Sequence, residues 1–301
     1  MKRTFQEINI EDTINSGQVF LWEKKGDEWY GIDGENVLVI DEKTRKFRKK
    51  NAEFIFFRQN DNFEEIYSCL KKDKIVKKAL DAFPGIRLLQ QDPFQCYISF
   101  IVSSNSNIPN IKTRLQNLCR KFGEKKIINS NEFFLFPKSS IISNAPISKI
   151  LDCGVGYRAK AIKEASVAVT DGKIDFDNLK NMSYYDAKRE LVKVFGIGNK
   201  VADCILLFSL DKLEAFPLDR WMLRVLQKYY SKKFEPSSKT ITDKTYEDIH
   251  QKVVEHFGKY AGYSQQFLFK MERELNNKKM VVTTLKVVIN RQIIGPVAQH
   301  G

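Results

Sequence analysis

The chain has 301 residues, 43% of them hydrophobic, enough for about two domains with a buried core. Fifty Lys and Arg against 37 Asp and Glu give a formal net charge of +13, which points to a polyanionic partner, nucleic acid before anionic membrane. No apolar run nears the ~18 residues of a membrane span, and no apolar secretory core follows Met1-Lys2-Arg3-Thr4. The five cysteines (Cys69, Cys96, Cys119, Cys153 and Cys204) are scattered with no Cys-x-x-Cys pair, so neither a zinc site nor a disulfide framework is indicated and a reducing cytosol fits.

Residues 1–50 read as strands, Gln18–Trp22, Glu28–Ile32 and Asn36–Asp41, with Lys25-Gly26-Asp27 and Asp33-Gly34 as turns. Residues 52–82 read as helical from Phe54, Phe57, Phe63, Ile66, Leu70, Ile75 and Leu80. At Gln91-Asp92-Pro93 the character changes: Asp92 caps and Pro93 opens a helix with a buried stripe of Phe94, Tyr97, Ile98, Ile101 and Val102. The polar turn Ser103-Ser104-Asn105-Ser106-Asn107 follows, then a helix opened by Pro109 and stopped by Gly123. Over 148–172 a helix–Gly154-Val155-Gly156–helix unit carries Tyr157 and Arg158 just after the turn.

The densest stretch is 183–230. Ser183 and Asp186 form a capping pair for a helix expected to stop at Gly196. A second helix opens at once, so Gly196-Ile197-Gly198 is a hairpin whose glycines allow close approach by another molecule. The free amides behind it suit an anion such as a DNA phosphate. Lys200 and Cys204 share a face of that helix. The helix dipole opposes a positive charge on Lys200 and so favours the amine a Schiff-base nucleophile needs; a solvated surface Lys is the plainer alternative. Asp219, after Phe216-Pro217-Leu218, suits an N-cap of the next helix and equally a fixed carboxylate facing developing positive charge. Thr245–Phe257 is a capped helix ended by Gly258, and Gln265 and Phe269 beyond it share one helix face, fit for a base edge and a base plane or simply for a core edge. Val281–Ile294 suits a strand, and the final Gly-Pro-Val-Ala-Gln-His-Gly reads as disordered.

Phe-Gly-Ile-Gly-Asn-Lys-Val-Ala-Asp-Cys-Ile followed by Pro-Leu-Asp resembles the helix-hairpin-helix signature of base-excision DNA glycosylases, and within them the 8-oxoguanine DNA glycosylase/lyase family with an extra N-terminal domain. The resemblance spans about residues 10–275. It implies an α+β fold: an antiparallel sheet domain over 1–91 packed on a mainly helical body over 92–276, with the helix-hairpin-helix near 183–210 and a tail over 277–301. It implies Lys200 as nucleophile and Asp219 as the essential carboxylate. It implies that the Gly17 carbonyl accepts from N7–H of 8-oxoguanine, that Gln265 reads the Watson–Crick edge, and that Cys204 and Phe269 stack on the flipped base.

The resemblance also implies DNA contacts: Asn105 filling the vacated stack, Tyr157 wedging, Arg158 meeting the orphaned cytosine, and Gly196, Gly198 and Pro217 along the backbone. Two departures stand out. Trp221 replaces a His found in mammalian members, and Asn110 replaces an Arg that reads the opposite base. The expected enzyme is a monomer acting on 8-oxoguanine duplexes in the cytoplasm and nucleoid, with no redox cofactor; a structural alkali cation at the hairpin carbonyls is compatible. No Cys follows Cys204, which counts against the iron–sulfur loop of related enzymes. Two rivals remain. One is a monofunctional glycosylase for another damaged base, disfavoured by Lys200. The other is a non-catalytic DNA-binding module, disfavoured by Asp219 and Gln265.

Overall fold

The computed structural model describes residues 8–44, 51–234 and 241–276, so the expectations for 277–301 lie outside the described residues. The chain opens with a short helix α1 (Ile10–Ile14), capped by the Asn9 side chain. A three-stranded antiparallel sheet follows in the order β1 (Trp22–Lys25), β2 (Glu28–Asp33), β3 (Asn36–Asp41). Lys25 pairs with Glu28 and Asp33 with Asn36, so Gly26-Asp27 and Gly34-Glu35 are two-residue hairpin loops.

The expected strand Gln18–Trp22 is corrected. Strand begins only at Trp22, and α1 was not anticipated. The segment between is pinned by a side chain rather than a ladder. Buried Gln18 donates to Ser16 Oγ and the Arg87 carbonyl, both at 2.8 Å, and accepts from the Leu89 N–H at 2.9 Å. Gly17 sits at φ +88°, outside the strand region and strained for any side chain.

Helices α2 (Ala52–Phe56), α3 (Phe63–Leu70) and α4 (Lys74–Ala82) lead into α5 (Pro93–Ser103) and α6 (Ile108–Phe122), opened by Asp92 and Asn107 caps as their Pro residues require. A hairpin that sequence reasoning missed, β4 (Lys125–Ile128) and β5 (Asn131–Phe134), then packs Phe133 on Tyr30 at 5.2 Å. Next come α7 (Ser139–Asn144), α8 (Ile147–Leu151), α9 (Arg158–Thr170), α10 (Phe176–Asn181), α11 (Tyr184–Leu191), α12 (Asn199–Ser209), α13 (Arg220–Tyr230) and α14 (Asp243–Phe257). After a 3-10 turn, Gly258–Tyr260, a last helix α15 covers 261–276.

The body is built around α12, whose residues Val201–Ser209 are all buried. A helix buried on every side is central, and its two polar residues in this run, Asp203 and Ser209, are enclosed with it. It packs on α5, where Phe100 and Phe208 stack at 5.4 Å, and α5 in turn packs on α9. One continuous core runs from Phe20 and Tyr30 of the sheet region to Met271, while Trp22, Trp29, Leu38, Phe56 and Phe57 form a second cluster beneath the sheet. The sheet is docked by polar bonds as well: Gln95 on α5 donates to the Ile32 carbonyl and accepts from the Gly34 N–H, and Asp33 accepts from the Asp92 N–H at 2.7 Å. Among the described residues no helix is long and apolar enough to cross a membrane.

Candidate active site

A cavity of about 370 Å³ opens between the N-terminal segment and the helical body. Its wall includes Gly17, Phe100, Lys200, Cys204, Asp219, Gln265, Phe269 and Arg273. Five separate parts of the chain therefore converge on one space: the turn after α1, α5, α12, the loop before α13, and α15.

The hairpin places the first of these. Ser183 caps α11, accepting from the Asp186 N–H, but the helix ends at Leu191 rather than at Gly196. The intervening residues turn through three-residue bonds, Lys193 N–H to Glu190 and Val194 N–H to Leu191, before Gly196 reverses the chain at φ +85°. The two glycines serve different ends. A Cβ on Gly196 would lie 2.5 Å from Ala161 Cβ, so its smallness seats the hairpin on α9. Gly198 faces open space, and it caps α12 with no side-chain bond to the first amides. Those amides are left for an outside acceptor.

Lys200, in the first turn of α12, is half-buried; its Nζ lies 3.5 Å from Ser103 Oγ and 5.3 Å from the Phe100 ring centre. Cys204, one turn on, is buried, and burial pushes its thiol up to about 12, so it is a neutral packing surface rather than a thiolate. Asp219 is the N-cap of α13, accepting from the Met222 N–H at 2.8 Å. Burial raises its carboxyl above the ordinary value, and the Met222 N–H, the Lys200 charge, the Trp221 N–H and the Arg273 charge draw it back.

The loop carrying Asp219 is tied to α12 by a buried network. Asp203 is fully enclosed beside Cys204. It accepts from Tyr184 Oη at 2.6 Å and Tyr246 Oη at 2.5 Å, and Lys188 Nζ lies 3.3 Å away. Tyr246 Oη in turn accepts from the Leu218 N–H at 3.0 Å, one residue before Asp219. His250 completes the cluster, its Nε2 2.9 Å from Tyr184 Oη, and burial holds its ring below the usual histidine value.

On the far wall, Gln265 is buried and its Oε1 has no partner; Arg273 Nη1 is enclosed and likewise unpartnered. Phe269 lines the cavity between them. Gln266, its neighbour in sequence, instead donates to the Ser16 carbonyl at 3.0 Å and so fixes α15 to the Gly17 turn.

Beside the cavity mouth, the polar turn and the Gly-x-Gly unit meet. Asn105 is exposed and held at φ +49°. Tyr157 is 69% exposed, with the Arg158 guanidinium 4.4 Å from its ring centre. Arg158 itself is buried and spends its donors on backbone: Nε on the Ser104 carbonyl at 3.0 Å, Nη2 on Ser104 and Asn105, Nη1 on Val155. Asn110 is exposed on α6. Arg114, one turn further and absent from the sequence reading, joins the two loops through the Gly154 carbonyl at 3.0 Å and Ser106 Oγ at 2.6 Å. Pro217 and Trp221 both line the cavity.

All of Gly17, Lys200, Cys204, Asp219, Gln265 and Phe269 thus share one cavity, and Asn105, Tyr157 and Arg158 cluster together. Arg273, Phe100, Ser103 and the Asp203 network were missed. Arg273 alone left a clear signal, since 265, 269 and 273 follow at helical spacing on one face.

Comparison with known proteins places the chain among DNA repair enzymes. Residues 1–97 match the 8-oxoguanine DNA glycosylase N-terminal domain, and residues 98–258 match the HhH-GPD superfamily of base excision DNA repair proteins. A probable N-glycosylase/DNA lyase of Methanothermobacter thermautotrophicus is 30% identical over 249 residues, 76% of each chain. The Arabidopsis thaliana N-glycosylase/DNA lyase OGG1 is 28% identical over 312 residues, 97% of this chain and 84% of that one. The solved Clostridium acetobutylicum 8-oxoguanine glycosylase/lyase, in complex with double-stranded DNA containing cytosine opposite 8-oxoguanine, superposes with a TM-score of 0.80 at 30% identity, covering 90% of this chain and 93% of that one.

Proposed function

The chain belongs to the 8-oxoguanine DNA glycosylase/AP lyase family of the HhH-GPD superfamily, and from that premise we propose how its residues carry the reaction. It is a bifunctional enzyme that excises 8-oxoguanine from duplex DNA and cleaves the strand at the resulting site. The observation that carries the residue assignment is the convergence of Lys200 and Asp219 on a cavity walled by a stacking ring and orphaned polar atoms.

The flipped base enters between Cys204 and Phe269, the Gly17 carbonyl accepts from its N7–H, and Gln265 meets its Watson–Crick edge. Lys200, as the free amine, attacks C1′ while ionised Asp219 faces the positive charge that builds on the sugar ring. The C1′–N9 bond breaks and the base leaves with its bonding electrons. The attacking nitrogen gives up a proton and the C1′–O4′ bond opens, O4′ taking a proton, to leave the Lys200 Schiff base; this loses a C2′ proton, and the 3′ phosphate departs by β-elimination. Phosphates rest on the α12 amides behind Gly198, with Gly196 and Pro217 shaping the approach. Asn105 and Tyr157 occupy the gap in the stack.

Arg158, whose guanidinium is committed to the Asn105 turn, presents that turn and reaches the opposite base only by releasing one of its carbonyls. Asn110, a neutral amide where the family resemblance to mammalian members leads one to expect a guanidinium, makes opposite-base selection weaker. Residues 1–91 act as the domain that supplies Gly17, and 92–276 as the catalytic body. The work is placed in the cytoplasm on nucleoid DNA, in keeping with the net charge of +13.

Incubation with a duplex holding 8-oxoguanine opposite cytosine tests the reading. Strand cleavage without alkali is expected. Base loss that needs alkali to reveal a break would mean a monofunctional glycosylase, and binding with neither would mean a non-catalytic module.

A further inference from the structure

We infer that Arg273 is a specificity-determining residue that donates a hydrogen bond to a carbonyl oxygen of the flipped oxidised purine, an inference that rests on the cavity being the base pocket. Arg273 leaves α15 one turn beyond Phe269 and lines the cavity with it. Its guanidinium carbon lies 5.3 Å from the Phe269 ring centre, on the wall against which a base would stack. Its Nη1 is enclosed and has no acceptor. The other side of that atom is the Gly17 turn: a Cβ on Gly17 would stand 2.9 Å from Nη1 and 3.0 Å from Phe269 Cε1. The turn and the guanidinium are therefore in close contact, and a side chain at 17 would have to push the guanidinium or the Phe269 ring aside.

A guanidinium stays charged at any physiological pH and offers donors only. An enclosed cationic donor without an acceptor is costly, and the occupant of the cavity removes that cost by supplying an oxygen. The cavity wall already holds the complementary orphan: Gln265 Oε1 needs a donor. An oxidised guanine satisfies both, with N–H groups for Gln265 and carbonyl oxygens at C6 and C8 for Arg273. Undamaged guanine has no oxygen at C8. If C8 carries the contact, the guanidinium contributes directly to telling the two bases apart.

The test uses Arg273→Met, of similar length and apolar, and Arg273→Lys, which keeps the charge without the fork. Single-turnover excision is measured on duplexes holding 8-oxoguanine or 8-oxoadenine, and binding on a duplex with a tetrahydrofuran abasic analogue, which leaves the pocket empty. We expect Arg273→Met to slow 8-oxoguanine excision about ten- to a hundredfold, as befits one specific base contact, with abasic-duplex affinity within about twofold of wild type and partial recovery in Arg273→Lys. An equal penalty on both bases assigns the contact to the C8 oxygen. A penalty confined to 8-oxoguanine assigns it to C6, where adenine carries an amine. Wild-type speed in Arg273→Met overturns the inference, and so does a matching loss of abasic-duplex affinity, which would make Arg273 a DNA-backbone contact. Failure of the wild type itself to release 8-oxoguanine would instead overturn the pocket reading beneath it.

Discussion

Asp219 answers two demands in one place. As the N-cap of α13 it accepts from the Met222 N–H; as a cavity wall residue it faces Lys200's side of the space. Burial lifts its carboxyl above the ordinary value, against the ion that the chemistry needs. The sign follows: a raised folded-state pKa adds stability below the unfolded value of ~3.9 and loses it as pH rises through the folded value. Activity should move oppositely, rising with pH as Asp219 ionises, with that ionisation shifted above an unperturbed Asp. Asn caps about as well as Asp, so Asp219→Asn at pH 8 should melt no earlier than wild type yet lose at least ~10²-fold in single-turnover rate. Early melting with normal turnover would reduce Asp219 to a cap.

At the scale of elements, the hairpin helix α12 and the loop before α13 must keep a fixed spacing, because one carries Lys200 and the other Asp219. The Asp203–Tyr246–Leu218 chain of bonds sets it. Tyr246→Phe would strand the Leu218 N–H and one Asp203 oxygen, whereas Tyr184→Phe disturbs the same cluster without touching the loop. Each should cost about 1–3 kcal/mol in stability. Only Tyr246→Phe should also cut the single-turnover rate, by roughly tenfold, with lesion-duplex affinity kept; equal slowing by both variants would show that the network is merely structural.

The caps at Asp92 and Ser183, like the prolines and the hairpin turns, act locally and were legible from a few neighbouring residues; the helix expected from Thr245 instead starts at Asp243, capped by Thr242. The strand expected at Gln18–Trp22 failed because its partners are 69 to 73 residues away, at Arg87, Leu89 and Gln91. No local pattern encodes such bonds. The end of α11 failed for a smaller reason: Gly196 marks the reversal, but the helix had already loosened into tighter turns. The site residues that were legible sat in contiguous motifs, while Arg273 and Tyr246 gain their meaning from Gly17 and Leu218, distant in sequence.

Across the whole molecule, the N-terminal sheet region and the helical body share one core, so the cavity is a property of both. Gly17 reaches it because Gln18, Gln95 and Gln266 bind the N-terminal segment to the run at 87–91, to α5 and to α15. The net charge of +13 favours association with DNA, and the cavity then selects what is turned into it. The whole construction converges on one covalent event at one amine. Borohydride trapping on a duplex with 8-oxoguanine opposite cytosine, followed by peptide mapping, measures that event directly. The expected result is a single adduct at Lys200, abolished in Lys200→Gln while lesion-duplex binding persists; an adduct on another amine, or undiminished trapping in Lys200→Gln, would contradict it.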